Sequence, residues 1–189
     1  MCKYNNIDCC TRLFRRKDNL KKVIILVFLI IMVGYAVWQA IEAKGTKIGI
    51  EIGNEAPDFQ MQTLDGATVT LSSLEGKKVL VNFWASWCGP CLDEMPEIEE
   101  IHNEFGNDVE VLAVNMTVTG KNIEAVENFV QEHGLTFPIL LDESNKTNST
   151  YEVLSLPTSY FIDTEGVIKH KYIGAMTKEY MIEQLNKLK

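Results

Sequence analysis

Cys88 and Cys91 stand two residues apart in Trp87-Cys88-Gly89-Pro90-Cys91, the spacing of a dithiol that closes to a disulfide and reopens. On the first turn of a helix two such sulfurs are near enough to join in a small ring. A thiolate there is favoured by orphan backbone N–H groups and the helix macrodipole, which lower a cysteine pKa from about 8.5 toward about 7 in such settings. Cys88 is therefore the expected attacking thiol. Cys91, one turn further in, is the expected resolving thiol that releases a mixed disulfide. Two other chemistries use this spacing. A zinc site needs two further ligands, yet the chain has no second C-x-x-C, and His102, His133 and His170 lack ligand spacing. A purely structural disulfide fits the spacing alone.

The elements around the pair must present it at a strand-to-helix junction. Lys77 to Ala85 (KKVLVNFWA) is a mostly apolar run of buried-strand length, and it leads directly into the motif and a helical stretch reaching Phe105. At about 100° per residue, Glu94 falls inside the arc spanned by Met95, Ile98, Ile101 and Phe105, whereas Asp93, Glu97, Glu99, Glu100 and Glu104 fall outside it. A carboxyl on the apolar face near two sulfurs has a raised pKa and can exchange protons with the thiols. Glu94 therefore joins Cys88 and Cys91 as a candidate catalytic residue.

Upstream, Phe59 to Leu71 alternates around Asp65-Gly66, predicting a hairpin with a tight two-residue turn. Downstream, Val109 to Met116 reads as a buried strand and Asn122 to His133 as an amphipathic helix. Phe137 to Leu141 is another strand, followed by a short polar segment. Ser159 to Ile162 and Val167 to Ile173 form an antiparallel pair, and Thr177 caps a final helix. This order predicts an α/β domain over residues 56–189: a mixed central sheet flanked by helices, with an extra N-terminal β-hairpin.

Outside that domain the composition changes. Residues 1–22 carry seven Lys/Arg against Asp8 and Asp18, a net of plus 5, while the chain from Glu42 onward has a net of minus 13. Residues 23–41 hold no charge, enough length to cross a bilayer core of about 30 Å. They predict a transmembrane anchor whose lipid partner is the bilayer. The basic residues before it put the N-terminus in the cytoplasm and the large domain outside. No good A-x-A cleavage site follows Trp38, so a retained anchor is expected rather than a cleaved signal peptide. Residues 42–55, with three glycines and no apolar period, read as a tether. Cys2, Cys9 and Cys10 fall on the cytoplasmic side, where thiols stay reduced. An acidic domain argues against nucleic acid as a partner.

Phe83-Trp84-Ala85-Ser86-Trp87-Cys88-Gly89-Pro90-Cys91 resembles the motif of the thioredoxin superfamily, and Leu156-Pro157-Thr158 resembles its cis-proline segment facing the disulfide. The resemblance implies a thioredoxin-like fold with Trp87, Gly89, Pro90, Leu156, Pro157 and Thr158 as substrate-binding residues. It also implies no cofactor beyond the redox-active disulfide. Where thioredoxin has a buried Asp before the motif, this chain has Asn82, which cannot accept a proton. The anchor, the extra hairpin, and Glu94 in Cys91-Leu92-Asp93-Glu94-Met95-Pro96 resemble the TlpA/ResA group of membrane-anchored thiol-disulfide oxidoreductases. In ResA-type proteins of Gram-positive bacteria the matching Glu is the active-site acid. Apocytochrome c is there reduced before haem attachment, with a membrane thiol carrier of the CcdA type as electron donor. The dipeptide between the cysteines is Glu-Pro in that group and Gly89-Pro90 here, a departure that bears on redox potential and client.

The readings that compete are a reductant of extracytoplasmic proteins, including one serving sporulation; a disulfide-forming oxidant; and a non-catalytic tethered module that binds a client. A peroxidase of the P-x-x-x-T-x-x-C kind would need Pro at position 81 and Thr or Ser at position 85, where the chain has Val81 and Ala85.

Overall fold

A computed structural model describes the backbone of residues 7–42, 46–120 and 123–189, and the side chains of residues 21–39, 46–118 and 123–189. Cys2, and the side chains of Cys9 and Cys10, lie outside these, as does Asn122. The chain divides after Gly45 into two compact units.

The first unit is a single helix, α1 (Ile7–Glu42). The uncharged run is thus the C-terminal half of a longer helix, whose first half carries most of the basic residues that precede the run. Its segment Lys21–Gln39 is long and apolar enough to cross a membrane, and its large apolar side chains from Val23 to Trp38 are exposed. Its length and composition are those that suit burial in a bilayer core.

The second unit opens with a segment that holds to the sheet rather than swinging free. Gly49 N–H donates to the Glu55 carbonyl at 3.0 Å, Gly53 N–H to Ile168 at 2.8 Å and Ala56 N–H to Gly166 at 2.9 Å, and Glu55 bridges Val167. Residues 47–55, expected as part of a tether, are a strap on the domain. Backbone hydrogen bonds fix it, so no apolar period betrays it in the sequence.

The hairpin follows as β1 (Gln60–Gln62) and β2 (Thr68–Thr70), antiparallel with Met61 opposite Val69. Its loop holds three residues rather than two. Thr63 N–H donates to the Ala67 carbonyl and Gly66 N–H returns to Thr63, with Gly66 at φ +86°. A type I turn closed by a left-handed glycine is the three-residue solution to the same Asp-Gly signal.

The central sheet is built from β3 (Lys78–Trp84), β4 (Val109–Asn115), β5 (Ile139–Leu141), β6 (Thr158–Ile162) and β7 (Ile168–Ile173), in the order β5-β4-β3-β6-β7. The β3–β4 and β4–β5 pairs are parallel; β3–β6 and β6–β7 are antiparallel. Among the described residues the second unit also holds five α-helices, α2 (Gly89–Phe105), α3 (Thr117–Gly120), α4 (Ile123–His133), α5 (Lys146–Thr150) and α6 (Lys178–Lys187).

Alternation along β3 separates two cores. Leu80 and Trp84 face a cluster with Met95, Ile98 and Ile101 of α2, Val126 of α4 and Met181 and Leu185 of α6. Val79, Val81 and Phe83 face the other way, onto Phe59, Met61 and Leu71 around the hairpin and onto Tyr151 and Val153. Helices therefore cover one face, while the hairpin and the segment after α5 cover the other. The polar stretch before Leu156 folds into α5 because the buried Asp142 carboxylate accepts from the N–H groups of Lys146 (3.0 Å) and Asn148 (2.8 Å). The Tyr151 hydroxyl then ties the segment to the Pro57 carbonyl at 2.7 Å.

Candidate functional site

The site forms where β3 ends and α2 begins. Cys88 is the N-cap of α2 in extended conformation, and Pro90 lies in the first turn. Proline has no N–H to leave unpaired there. The Cys88 carbonyl accepts from Cys91 N–H at 3.0 Å and from Leu92 N–H at 3.1 Å. This closes the turn that sets the two Cα atoms 5.3 Å apart in a Cys88–Cys91 disulfide. Cys88 is 7 % exposed and Cys91 fully buried, the order expected of an attacking and a resolving sulfur. Trp87, Gly89 and Pro90 are exposed around Cys88. A Cβ at position 89 would meet nothing within 4 Å, so packing at that atom does not demand glycine between the cysteines.

The segment before β6 enters at the same end of the sheet. Thr158 is paired with Phe83, five residues before Cys88, and the Leu156–Pro157 peptide is cis. Leu156 packs against the cluster containing both cysteines. Pro157 is buried, with its carbonyl accepting from Gly174 N–H at 2.9 Å. The Thr158 hydroxyl donates to the Ser155 carbonyl at 2.7 Å. Thr158 therefore anchors the segment from inside the sheet, while Leu154 just before it is almost fully exposed.

Glu94 lies one turn beyond Cys91 and is 1 % exposed; the other acids of α2 are not buried. Its Oε1 accepts from Met176 N–H at 3.0 Å and its Oε2 from Asn82 Nδ2 at 3.3 Å. Burial pushes the carboxyl up to about 7, against these two hydrogen bonds, which hold it down. An acid poised near neutrality can take and return a proton within one turnover. Asn82 also donates to Ser159 Oγ at 2.9 Å.

Asn82 thus has a place in the site that its inability to accept a proton concealed. The period of β3 carries the signal, because Asn82 lies between Leu80 and Trp84 on the α2 side. Ser159 and Met176 gave none, since neither strand register nor the approach of the chain before α6 is written in local pattern. Trp84 is fully buried. His102 lies near Phe137, with ring centroids 6.1 Å apart, and belongs to the packing. A cleft between the hairpin and α4, lined by Leu64, Val69, Val130 and Phe137 among others, contains none of the motif residues.

The AhpC/TSA family matches residues 52–171. The chain is 42 % identical over 168 residues to the thioredoxin-like protein YneN of Bacillus subtilis, covering 88 % of this chain and 98 % of that one. It is 39 % identical to the thiol-disulfide oxidoreductase ResA of Bacillus thuringiensis, covering 88 % and 94 %. Among solved structures it resembles StoA from Bacillus subtilis with a TM-score of 0.61 and 32 % identity, over 67 % of this chain and 95 % of that one.

Proposed function

Because the chain belongs to the AhpC/TSA family and is a thiol-disulfide oxidoreductase of the ResA type, we propose that it reduces disulfides in client proteins on the outer face of a bacterial cell membrane, with apocytochrome c as the client awaiting haem. The observation that carries this reading is the buried Glu94 one turn beyond a helix-capping cysteine pair. It gives the dithiol its own acid inside the fold.

In the reduced protein the Cys88 thiolate attacks one client sulfur, forming a Cys88–client disulfide and expelling the other client sulfur as thiolate. Cys91 gives its proton to Glu94 and attacks the Cys88 sulfur, closing the Cys88–Cys91 bond and releasing the second client thiolate. Two electrons pass to the client. Of the two protons its thiolates take up, one is the proton Glu94 received and the other comes from water. A membrane dithiol carrier of the CcdA type restores the pair by the reverse exchange. Trp87, Gly89, Pro90, Leu156, Pro157 and Thr158 form the substrate-binding rim, exposed groups lying on buried anchors. Residues 23–41 hold the domain at the membrane, with the basic N-terminal side in the cytoplasm.

Trapping tests this. Cys91→Ser accumulates a mixed disulfide through Cys88, and mass spectrometry of the adduct identifies apocytochrome c; Cys88→Ser forms no adduct and reduces nothing. Full reduction of a model disulfide by Cys88→Ser would remove the mechanism. Adducts that never contain apocytochrome c would remove the client.

A further inference from the structure

Asn82 is fully buried in the middle of β3, and its side chain is engaged from one end only. Nδ2 reaches Glu94 Oε2 at 3.3 Å and Ser159 Oγ at 2.9 Å, while Oδ1 is buried without a partner. Ser159 lies directly opposite on β6 and is likewise fully buried. A buried amide oxygen left unpaired costs about 1–3 kcal/mol, so its retention beside a titrating acid needs a reason.

The chemistry of the three groups supplies one. As a carboxylate, Glu94 is acceptor only, and the amide nitrogen must face it. Once protonated, Glu94 carries an O–H that needs an acceptor. The same amide, turned about its last side-chain bond, puts Oδ1 where Nδ2 stood. Oδ1 then accepts from Glu94 and from the Ser159 hydroxyl, which donates as readily as it accepts. The turn exchanges only the places of Oδ1 and Nδ2, and β3 and β6 stay in register. We infer that Asn82 and Ser159 are positioning residues for Glu94, the amide turning end for end as Glu94 gains or loses its proton while the Ser159 hydroxyl reverses from acceptor to donor. An aspartate at position 82 would set a second acid against Glu94 and a leucine would offer neither end. Asparagine serves both states.

Other titratable groups around Glu94 are accounted for. On α2 these are the two cysteine sulfurs and Glu97, whose Oε2 accepts from Lys178 N–H at 3.0 Å. At the start of α6, Lys178 Nζ pairs with Glu100 and Glu104. From the sheet, β3 brings the Asn82 amide into hydrogen bonding with it, and β6 brings Ser159 onto that amide. The chain before α6 brings the Met176 N–H, which stays on Oε1 in either state.

The inference rests on Glu94 being the proton partner of the thiols, and the test separates the two. In the full chain in lipid nanodiscs, the side-chain amide resonances of Asn82 and the carboxyl carbon of Glu94 are followed by NMR from pH 5 to pH 9. Their common midpoint, with the Asn82 amide protons leaving their hydrogen-bonded shift as Glu94 protonates, is the expected result. Amide protons that stay hydrogen-bonded throughout would overturn it. In parallel, the rate of Cys88 alkylation in the reduced protein is measured against pH. Ser159→Ala strands one amide N–H in the charged arrangement and only removes a surplus donor in the neutral one. The inflection should therefore move up by roughly half to one pH unit, and Ser159→Thr, which keeps the hydroxyl, should restore it. A Ser159→Ala profile superimposed on the wild type defeats the inference. A Glu94→Gln profile superimposed on it defeats instead the role given to Glu94.

Discussion

At the scale of single residues, the site turns on one carboxyl. The unfolded Glu94 titrates near its ordinary value of 4.5 and the folded one near 7. Between those values the folded state holds more protons, so the oxidised protein loses stability as pH rises from about 4.5 to about 7. The loss is about 3 kcal/mol, flat above that window and absent below it. Glu94→Gln should remove this slope, making the variant relatively more stable at pH 8 than at pH 5; denaturant melts of the oxidised protein at both pH values check it. Gly89 permits a second prediction. Since a Cβ there meets nothing within 4 Å and the position is exposed, Gly89→Glu should leave stability within about 0.5 kcal/mol. It should also disfavour the adjacent Cys88 thiolate, raising the pH at which Cys88 is alkylated; an unchanged alkylation profile would show that the acid of the Glu-Pro dipeptide does not act on Cys88 through charge. The Cys88–Cys91 pairing was legible from spacing and the burial of Glu94 from helical phase, both of them local information. The contact between Asn82 and Ser159 was not, because it is made by cross-strand register between positions 77 apart in sequence.

At the scale of elements, the helices work as holders for the ends of loops. Thr177 caps α6 by accepting from Tyr180 N–H at 3.4 Å, and the preceding residue, Met176, delivers its N–H to Glu94. Thr177→Ala should therefore lower stability by about 1 kcal/mol, while Thr177→Ser keeps the oxygen and the stability; thermal melts of the three proteins decide. If alanine costs nothing, water satisfies the helix end and the cap is dispensable. The continuous apolar runs of β3 and β4 and the helical period of α2, α4 and α6 could be placed from sequence. The strap over residues 47–55 and the short α5 could not. The strap is held by backbone bonds to Gly166 and Ile168, and α5 by one aspartate acting across a turn. Neither leaves a hydrophobic repeat. The hairpin's existence was legible but its loop length was not, because Asp-Gly suits both a two-residue turn and a type I turn closed by a left-handed glycine.

At the scale of the whole molecule, charge changes sign along the chain. The chain is net plus 5 over residues 1–22 and net minus 13 from Glu42 onward, with an uncharged stretch between that forms part of one helix. A lysine at the centre of a spanning helix costs about 3 kcal/mol on insertion scales. Leu29→Lys with Ile30→Lys should thus shift the protein from the membrane to the soluble fraction after lysis and alkaline wash. Orientation is tested separately, in a background with Cys2, Cys9 and Cys10 each changed to Ser. After mild reduction, a membrane-impermeant maleimide should label Cys88 in intact cells. Labelling that requires permeabilised cells would place the dithiol in the cytoplasm, where thiols are kept reduced. In that case the acidic domain would have no secreted disulfides to act upon. Labelling in intact cells, together with a retained anchor, instead confines Cys88 to a thin shell at the membrane face. Clients must then reach the site at the surface, and Trp87, exposed next to a nearly buried Cys88, is the first group they meet.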